Sequence, residues 1–564
     1  MAAVWPAAFI AVVYFAVGRF GFFPTDEGLI QGWSYRILLG QVPHRDFVSP
    51  LPMGSAVIHL VDFAVPAPLF EVSRVIATLE YCAYGLLFAW LIYRVPPWRW
   101  GLIPVAGTIG SILLNLNSFP LMAWYTVDGL LLVAGGLLAV HYGVQRKSDW
   151  VLIIGFLLLG SALVTKQSFV PAPVLGWVLT LPRLRLEGWF ARLRTVLLTG
   201  LVAALPLAIF AGYISLMGGL GGLRAQLLGG AFVYGRPLLS VWSPRHDFLA
   251  LACLSIGSGI VAGLLESRRR PDQGTDLPAL ALRSAFSAVV IAIPLLAGLG
   301  LRDNEWGMRV FWMLVSYVLV SGAVRRSLDL VGVAIIGCAW MSSLSYGYSW
   351  PNLVAGSAAL YLLNGVWSGV GIAWPRFHRL RAVPAGASLL LLALTASVFY
   401  QTRVQDVYLD RPAAQLTATL QGVSPAFGNI RTNPETARYL EDMVSCIRRF
   451  PADHVAVLPE NAAIYPALEL RNPFPIDWMW PDSMHGSDAR ILATADQLNR
   501  DGDYLVLFQT LDEPQIVNSN SLPPATPDST IKAYTPVPAQ IYSRLNGQRL
   551  TCASFLVVYS PAGG

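Results

Sequence analysis

Long apolar runs, broken by short polar stretches, fill the chain up to Tyr400, and soluble-type patterning follows. A membrane-spanning helix needs about 20 mostly apolar residues. By that measure the breaks predict roughly thirteen spans: 3 to 23, 71 to 93, 100 to 116, 126 to 144, 150 to 166, 168 to 182, 195 to 217, 247 to 266, 281 to 301, 308 to 324, 328 to 346, 351 to 373 and 383 to 400. Lysine and arginine fall in alternate connections: Arg94 and Arg99; Arg146 and Lys147; Arg183, Arg185, Arg192 and Arg194; Arg268, Arg269 and Arg270; Arg325 and Arg326; Arg376, Arg379 and Arg381. Short cytoplasmic loops collect such residues. A cytoplasmic N-terminus puts every cluster on that side, and an odd number of spans turns both the segment after the first helix and everything beyond Tyr400 outward. The prediction is a polytopic α-helical membrane protein with a transmembrane domain over residues 1 to 400 and an extracytoplasmic α/β domain over residues 401 to 564.

Residues 24 to 70 form a long first external loop. Within it Glu27 to Leu39 and Gly54 to Val65 read as short amphipathic helices, the second too short to span and bounded by Pro52 and Pro66. In the C-terminal region Asn433 to Phe450 and Ser487 to Arg500 read as helices. His454 to Pro459, Tyr504 to Gln509 and Ser554 to Ser560 read as strands. About 160 residues suffice for a modest core, and no glycine-rich phosphate loop interrupts them.

Composition agrees: 55% of the 564 residues are hydrophobic, 13% are charged, and the mean hydropathy is +0.54. The net charge of +6 reflects the topology-setting loops and gives no reason to expect nucleic acid. The first apolar run lacks a basic leader and a small-residue cleavage site, so it reads as a retained helix. Cys82, Cys253 and Cys338 lie in apolar runs, and no cysteine or histidine spacing marks a zinc site. Cys446 and Cys552 lie in the soluble region and either pair or remain two buried thiols.

Candidate chemistry centres on Asp26 and Glu27. Acids beside hydrocarbon are costly and mark function by default; the other reading is a helix start, with Thr25 or Asp26 as N-cap. A carboxylate there can take the proton of an attacking hydroxyl, and positive charge opposite it can hold an anionic leaving group, an arrangement that inverts the attacked centre. Candidate cations near the outer face include Arg19, Arg45, Lys166, Arg302 and Arg309. Lys166 either meets phosphate or snorkels to the interface; Arg302 and Arg309 either meet phosphate or pair with Asp303 and Glu305. His44 and Arg45 either orient Asp46 and the donor or form a hydrated turn. His59 and Asp62 read first as an internal polar pair, with metal or hydroxyl binding as the alternative. Asp128, after Trp124 and Tyr125, either faces sugar or caps a helix. Tyr348 and Trp350 either line a glycan channel or anchor at the interface. The aromatic stretch Asn472 to Trp480 either covers a site or rests on lipid.

The first loop, of the form TDEG…VPHRDF…P, with a dozen further helices and an external domain, resembles the GT-C membrane glycosyltransferases. Within them it is most similar to the bacterial members of the protein O-mannosyltransferase and aminoarabinose-transferase branch. The likeness is strongest over Phe23 to Pro52 and weaker over Tyr125 to Leu131 and Leu163 to Phe169. The resemblance implies an integral plasma (inner) membrane enzyme of cell-envelope glycan biosynthesis. Its donor is a polyprenyl-phosphate sugar and its acceptor a glycan, lipid or protein. Asp26 matches the general base, Glu27 its neighbour, and Asp46 a second acidic position. Oligosaccharyltransferase relatives use an Asp-x-Asp metal motif that the first loop lacks, so a divalent metal is compatible with the resemblance but not implied by it. The rival is a transporter or flippase of a lipid-linked glycan, which would more often show repeated halves and mid-helix acids.

Overall fold

The computed structural model describes the chain except residues 1–3, 117–120, 230–245, 268–304, 345–352, 368–381, 406, 485 and 563–564. The molecule is mainly helical, with a small sheet near its C-terminus. The helices are α1 (Trp5–Val13), α2 (Leu29–Leu38), α3 (Gly54–Ile58), α4 (Leu60–Ala64), α5 (Leu69–Tyr93), α6 (Leu102–Asn115), α7 (Tyr125–Gln145), α8 (Asp149–Thr165), α9 (Ala172–Leu186), α10 (Trp189–Leu216) and α11 (Leu220–Gly229). They continue as α12 (His246–Ser267), α13 (Glu305–Val324), α14 (Leu330–Ser343), α15 (Ala355–Trp367) and α16 (Ala382–Tyr400). Among the described residues, three are long and apolar enough to cross a membrane: α5, α7 and α10. The expected span at 281 to 301 lies outside the described residues.

Small residues let the helices approach closely. A Cβ on Gly155 of α8 would lie 2.9 Å from the Gly136 carbonyl oxygen of α7, so only glycine admits that crossing. At one end of the bundle Arg94 pairs with Asp329 at 2.6 Å, joining the end of α5 to the start of α14, and Arg183 pairs with Asp149 at 2.5 Å, joining α9 to the start of α8. The C-terminal domain covers the other end.

The first helix is shorter than its apolar run predicts. α1 continues through one wide turn, Tyr14–Gly18, and stops. The chain then turns at Gly21, with φ 84: Phe20 bridges Arg431, Gly21 N–H donates to the Arg431 carbonyl at 2.9 Å, and the Phe22 ring meets Phe427 edge-on at 5.3 Å. The apolar character of this segment is satisfied by protein. The second loop helix is likewise two short pieces, α3 and α4, broken at His59.

In the C-terminal domain β1 (Ala418–Thr419) and β2 (Arg431–Thr432) form a short antiparallel pair; β3 (His454–Leu458) pairs parallel with β4 (Tyr504–Gln509), which pairs antiparallel with β6 (Phe555–Ser560), itself antiparallel to β5 (Gln548–Cys552). Side chains alternate across the sheet. Leu505 and Leu507 join one core with α17 (Pro434–Arg449), while Tyr504, Val506 and Phe508 join another with α18 (Asp488–Asp501) and α19 (Val537–Arg544). Helices therefore cover both faces, as the near-continuous apolar strands require. Cys446 of α17 and Cys552 of β5 form a disulfide with Cα atoms 5.9 Å apart. The first loop is built into this domain: Phe22, Leu69 and Phe70 belong to the α17-side core.

Candidate functional site

The turn at 24–28 precedes α2, whose N-cap is Gly28 at φ 96, with no side-chain capping bond. Neither Thr25 nor Asp26 caps the helix. A Cβ at position 28 would lie 2.4 Å from the Ala463 Cα atom, so glycine is needed both for its positive φ and for the approach of the C-terminal domain. Arg36 of α2 locks that approach with a buried two-pronged pair to Asp477, at 2.6 and 2.8 Å.

Asp26 is held at this junction, partly exposed. Its Oδ2 accepts a 3.0 Å hydrogen bond from the Tyr408 hydroxyl. Burial pushes the carboxyl up to about 6, against the Tyr408 hydrogen bond; Glu513 and Glu27 add to the rise and Lys532 opposes it. The neighbouring Thr25 hydroxyl donates to Glu513 Oε1 at 2.7 Å. Lys532 Nζ bridges Glu513 and Glu460, and Glu460 Oε2 accepts from the Trp478 indole at 3.1 Å. Burial drives Glu460 up to about 7 despite Lys532. For Glu513 burial acts upward too, but the Glu460 hydrogen bond and Lys532 outweigh it and leave the carboxyl at about 2. Trp478 stacks on Trp480 at 5.7 Å, and Trp480 meets Tyr534 at 4.4 Å. Asp26 thus sits in a cluster of three carboxylates, one lysine and an aromatic wall.

Most of this cluster comes from residues that sequence reasoning missed: Tyr408, Glu460, Glu513, Lys532 and Tyr534. A signal existed for two of them. Glu460 and Glu513 lie just past the carboxyl ends of the parallel strands β3 and β4, where open α/β sheets place ligands. The aromatic stretch 472 to 480 contributes Trp478 and Trp480 to the wall.

Glu27 is a separate element. Both its oxygens accept from Arg74 of α5, Oε1 from Nε at 2.6 Å and Oε2 from Nη2 at 2.5 Å. Arg74 also donates to the carbonyls of Gly18 and Gly21, so the pair fixes the path from α1 to Asp26. His44, with φ 62, is buried against Gln226 of α11, with Nδ1 at 2.7 Å from Oε1; burial lowers it to about 4, so it stays neutral. Arg45 pairs with its neighbour Asp46 at the surface at 2.7 Å, and Asp46 also accepts from Val42 N–H at 2.7 Å. His44 is therefore packed inside the protein, while Arg45 and Asp46 form a surface pair in which Arg45 also donates to the Met217 carbonyl at 3.2 Å.

Lys166 lies in the bundle, 1% exposed, with Nζ 3.2 Å from the Thr126 hydroxyl and 5.3 Å from the Tyr125 ring centroid. Among the described residues it has no carboxylate partner and no direct bond to Asp26. Asp128, one turn beyond Tyr125, is also buried and faces His59 Nε2 at 3.4 Å, so it neither caps α7 nor meets the Asp26 cluster. His59 and Asp62 are an internal pair at 3.0 Å. Arg302 and Tyr348 lie outside the described residues, as does the side chain of Arg309.

Compared with models of known protein families and with curated proteins, the chain matches none.

Proposed function

We propose that this protein is an inverting glycosyltransferase, moving a sugar from a polyprenyl-phosphate donor to an extracytoplasmic glycan, lipid or protein acceptor. The observation that carries the reading is the setting of Asp26: a partly exposed carboxylate, oriented by Tyr408, beside an aromatic wall of Trp478, Trp480 and Tyr534. Aromatic faces stack on the apolar faces of sugars, and flanking carboxylates accept their hydroxyls. A base whose pKa lies near 6 is mostly ionised at pH 7 yet basic enough to draw a proton from an attacking hydroxyl. Lys166, a buried amine without a carboxylate partner among the described residues, suits the anionic phosphate. An apolar cavity of about 250 Å³, lined by Trp5, Phe9, Leu86 and Leu131 among others, suits an isoprenoid chain.

The same proposal includes about thirteen membrane spans, a cytoplasmic N-terminus and an external C-terminal domain. Its support is the gathering of the Arg94 and Arg183 ends opposite that domain, and the Cys446–Cys552 disulfide, which suits an oxidising compartment.

The test is transfer of labelled sugar from a short-chain polyprenyl-phosphate donor by purified protein, with the anomeric configuration of the product read by NMR. Inverted product supports the proposal. Movement of intact donor across vesicles without transfer would establish the transporter reading instead. A cysteine placed at exposed Ala539 should label from outside the cell, and protection there would overturn the topology.

A further inference from the structure

The polar centre of the helix bundle lies apart from the Asp26 cluster, and the sugar-transfer chemistry proposed above does not use it, although Glu80 also borders the cavity given to the isoprenoid chain. His59 at the α3–α4 break, Glu80 on α5 and Asp128 on α7 bring one ligand atom each within 4.8 Å of one another. All three are buried, at 0%, 6% and 1% exposure. We propose that these residues bind one divalent transition ion of the zinc class, a site that ties the first loop to α5 and α7.

Four observations carry it. His59 Nδ1 is held by Asp62 at 3.0 Å, and Asp62 is itself held by the Gln31 amide at 3.1 Å. A carboxylate on one ring nitrogen turns the other outward as a ligand, the usual support of a metal-bound histidine. That other nitrogen, Nε2, lies 3.4 Å from Asp128 Oδ1. This is long for a charge-assisted hydrogen bond, which runs about 2.7 to 2.9 Å, but it matches two ligands across a tetrahedral ion with bonds of about 2.1 Å. Asp128 Oδ2 and Glu80 Oε2 are buried with no donor from any other described side chain; the two carboxyls meet each other, an arrangement that needs either a shared proton or a cation between them. Finally, Asp62, Glu80 and Asp128 surround a single imidazole, and among the described residues no lysine or arginine pairs with any of them. A divalent cation balances that charge where a buried acidic cluster alone would not. One histidine and two carboxylates are the nitrogen and oxygen donors that zinc and its neighbours accept.

The site links the two functional regions without belonging to either. Asp62 anchors Gln31 of α2, the helix that follows Asp26, and Asp128 shares the first turn of α7 with Tyr125 and Thr126, which hold Lys166.

The experiment is metal analysis of the full-length protein in detergent, after dialysis against micromolar zinc, manganese or cobalt chloride and gel filtration. About one equivalent of zinc or cobalt per chain is expected, with visible cobalt absorption lost in Asp128→Asn and His59→Gln and kept in the surface variant Asp46→Asn. Glu80→Gln, nearly isosteric, guards against misfolding, and each variant must elute as wild type before its metal is counted. Less than one tenth of an equivalent in wild type, or full occupancy in all three ligand variants, would overturn the proposal. Neither outcome bears on sugar transfer, so this proposal and the glycosyltransferase reading fail separately.

Discussion

The junction around Asp26 and the bundle centre around His59 both gather carboxylates, but they balance charge in opposite ways. At the junction the four acids described above each have a protein partner: Tyr408 for Asp26, Arg74 for Glu27, and Lys532 between Glu460 and Glu513. In the bundle, among the described residues, three acids meet one imidazole, and the Asp128 and Glu80 carboxyls face each other with no donor from any other side chain. The difference teaches that the junction is self-sufficient and open to an exchanging substrate, whereas the bundle centre is complete only with a resident ion.

The largest expected effect comes from breaking the junction's buried pair. Arg74→Ala removes the partner of the buried Glu27 carboxyl, and should lower stability by about 3 to 5 kcal/mol, measured by thermal unfolding in detergent. Trp480→Ala removes the centre of the aromatic wall and should raise the acceptor KM about tenfold, roughly 1.4 kcal/mol, with kcat little changed; an unchanged KM would remove the wall from acceptor binding.

Asp26→Asn should stabilise the fold. Its carboxyl rises from 3.8 to about 6 on folding, so the folded state binds more protons between those values and stability falls as pH rises through them. Above about pH 6 the ionised carboxylate costs the fold a constant amount, on the order of 1 to 2 kcal/mol after discounting its partial exposure. The variant should melt higher than wild type at pH 7 and equally at pH 3.5. Lys532→Met should push the Asp26 carboxyl further up, since Lys532 holds it down, and cut turnover at pH 6 roughly two- to threefold with less effect at pH 8. The smallest effect belongs to Asp46→Asn: its exposed pair with Arg45 should be worth under about 1 kcal/mol.

Helix positions were largely legible because hydrophobic runs are long and their breaks sharp; α5, α7 and α8 fall within two residues of expectation. The end of α1 was not, since hydropathy cannot tell a phenylalanine buried on Phe427 from one facing lipid. Strand β5, QRLTC, was missed because it is a largely exposed edge with no apolar alternation. Asp26 was legible from its motif, but its partners lie nearly 400 residues or more away in sequence and are joined only by the fold. Glu80 carried a signal that went unread: an acid in the middle of an apolar helix is itself a functional marker.

The central claim is that Asp26 takes the acceptor proton. Its most direct test compares wild type with Asp26→Asn for transfer of labelled sugar at saturating donor across pH 5 to 8, with donor binding measured in parallel. The account predicts a wild-type rate that falls about tenfold per pH unit below about 6 and levels above it. It predicts a variant at least about a hundredfold slower that still binds donor. A variant that turns over at the wild-type rate would contradict it.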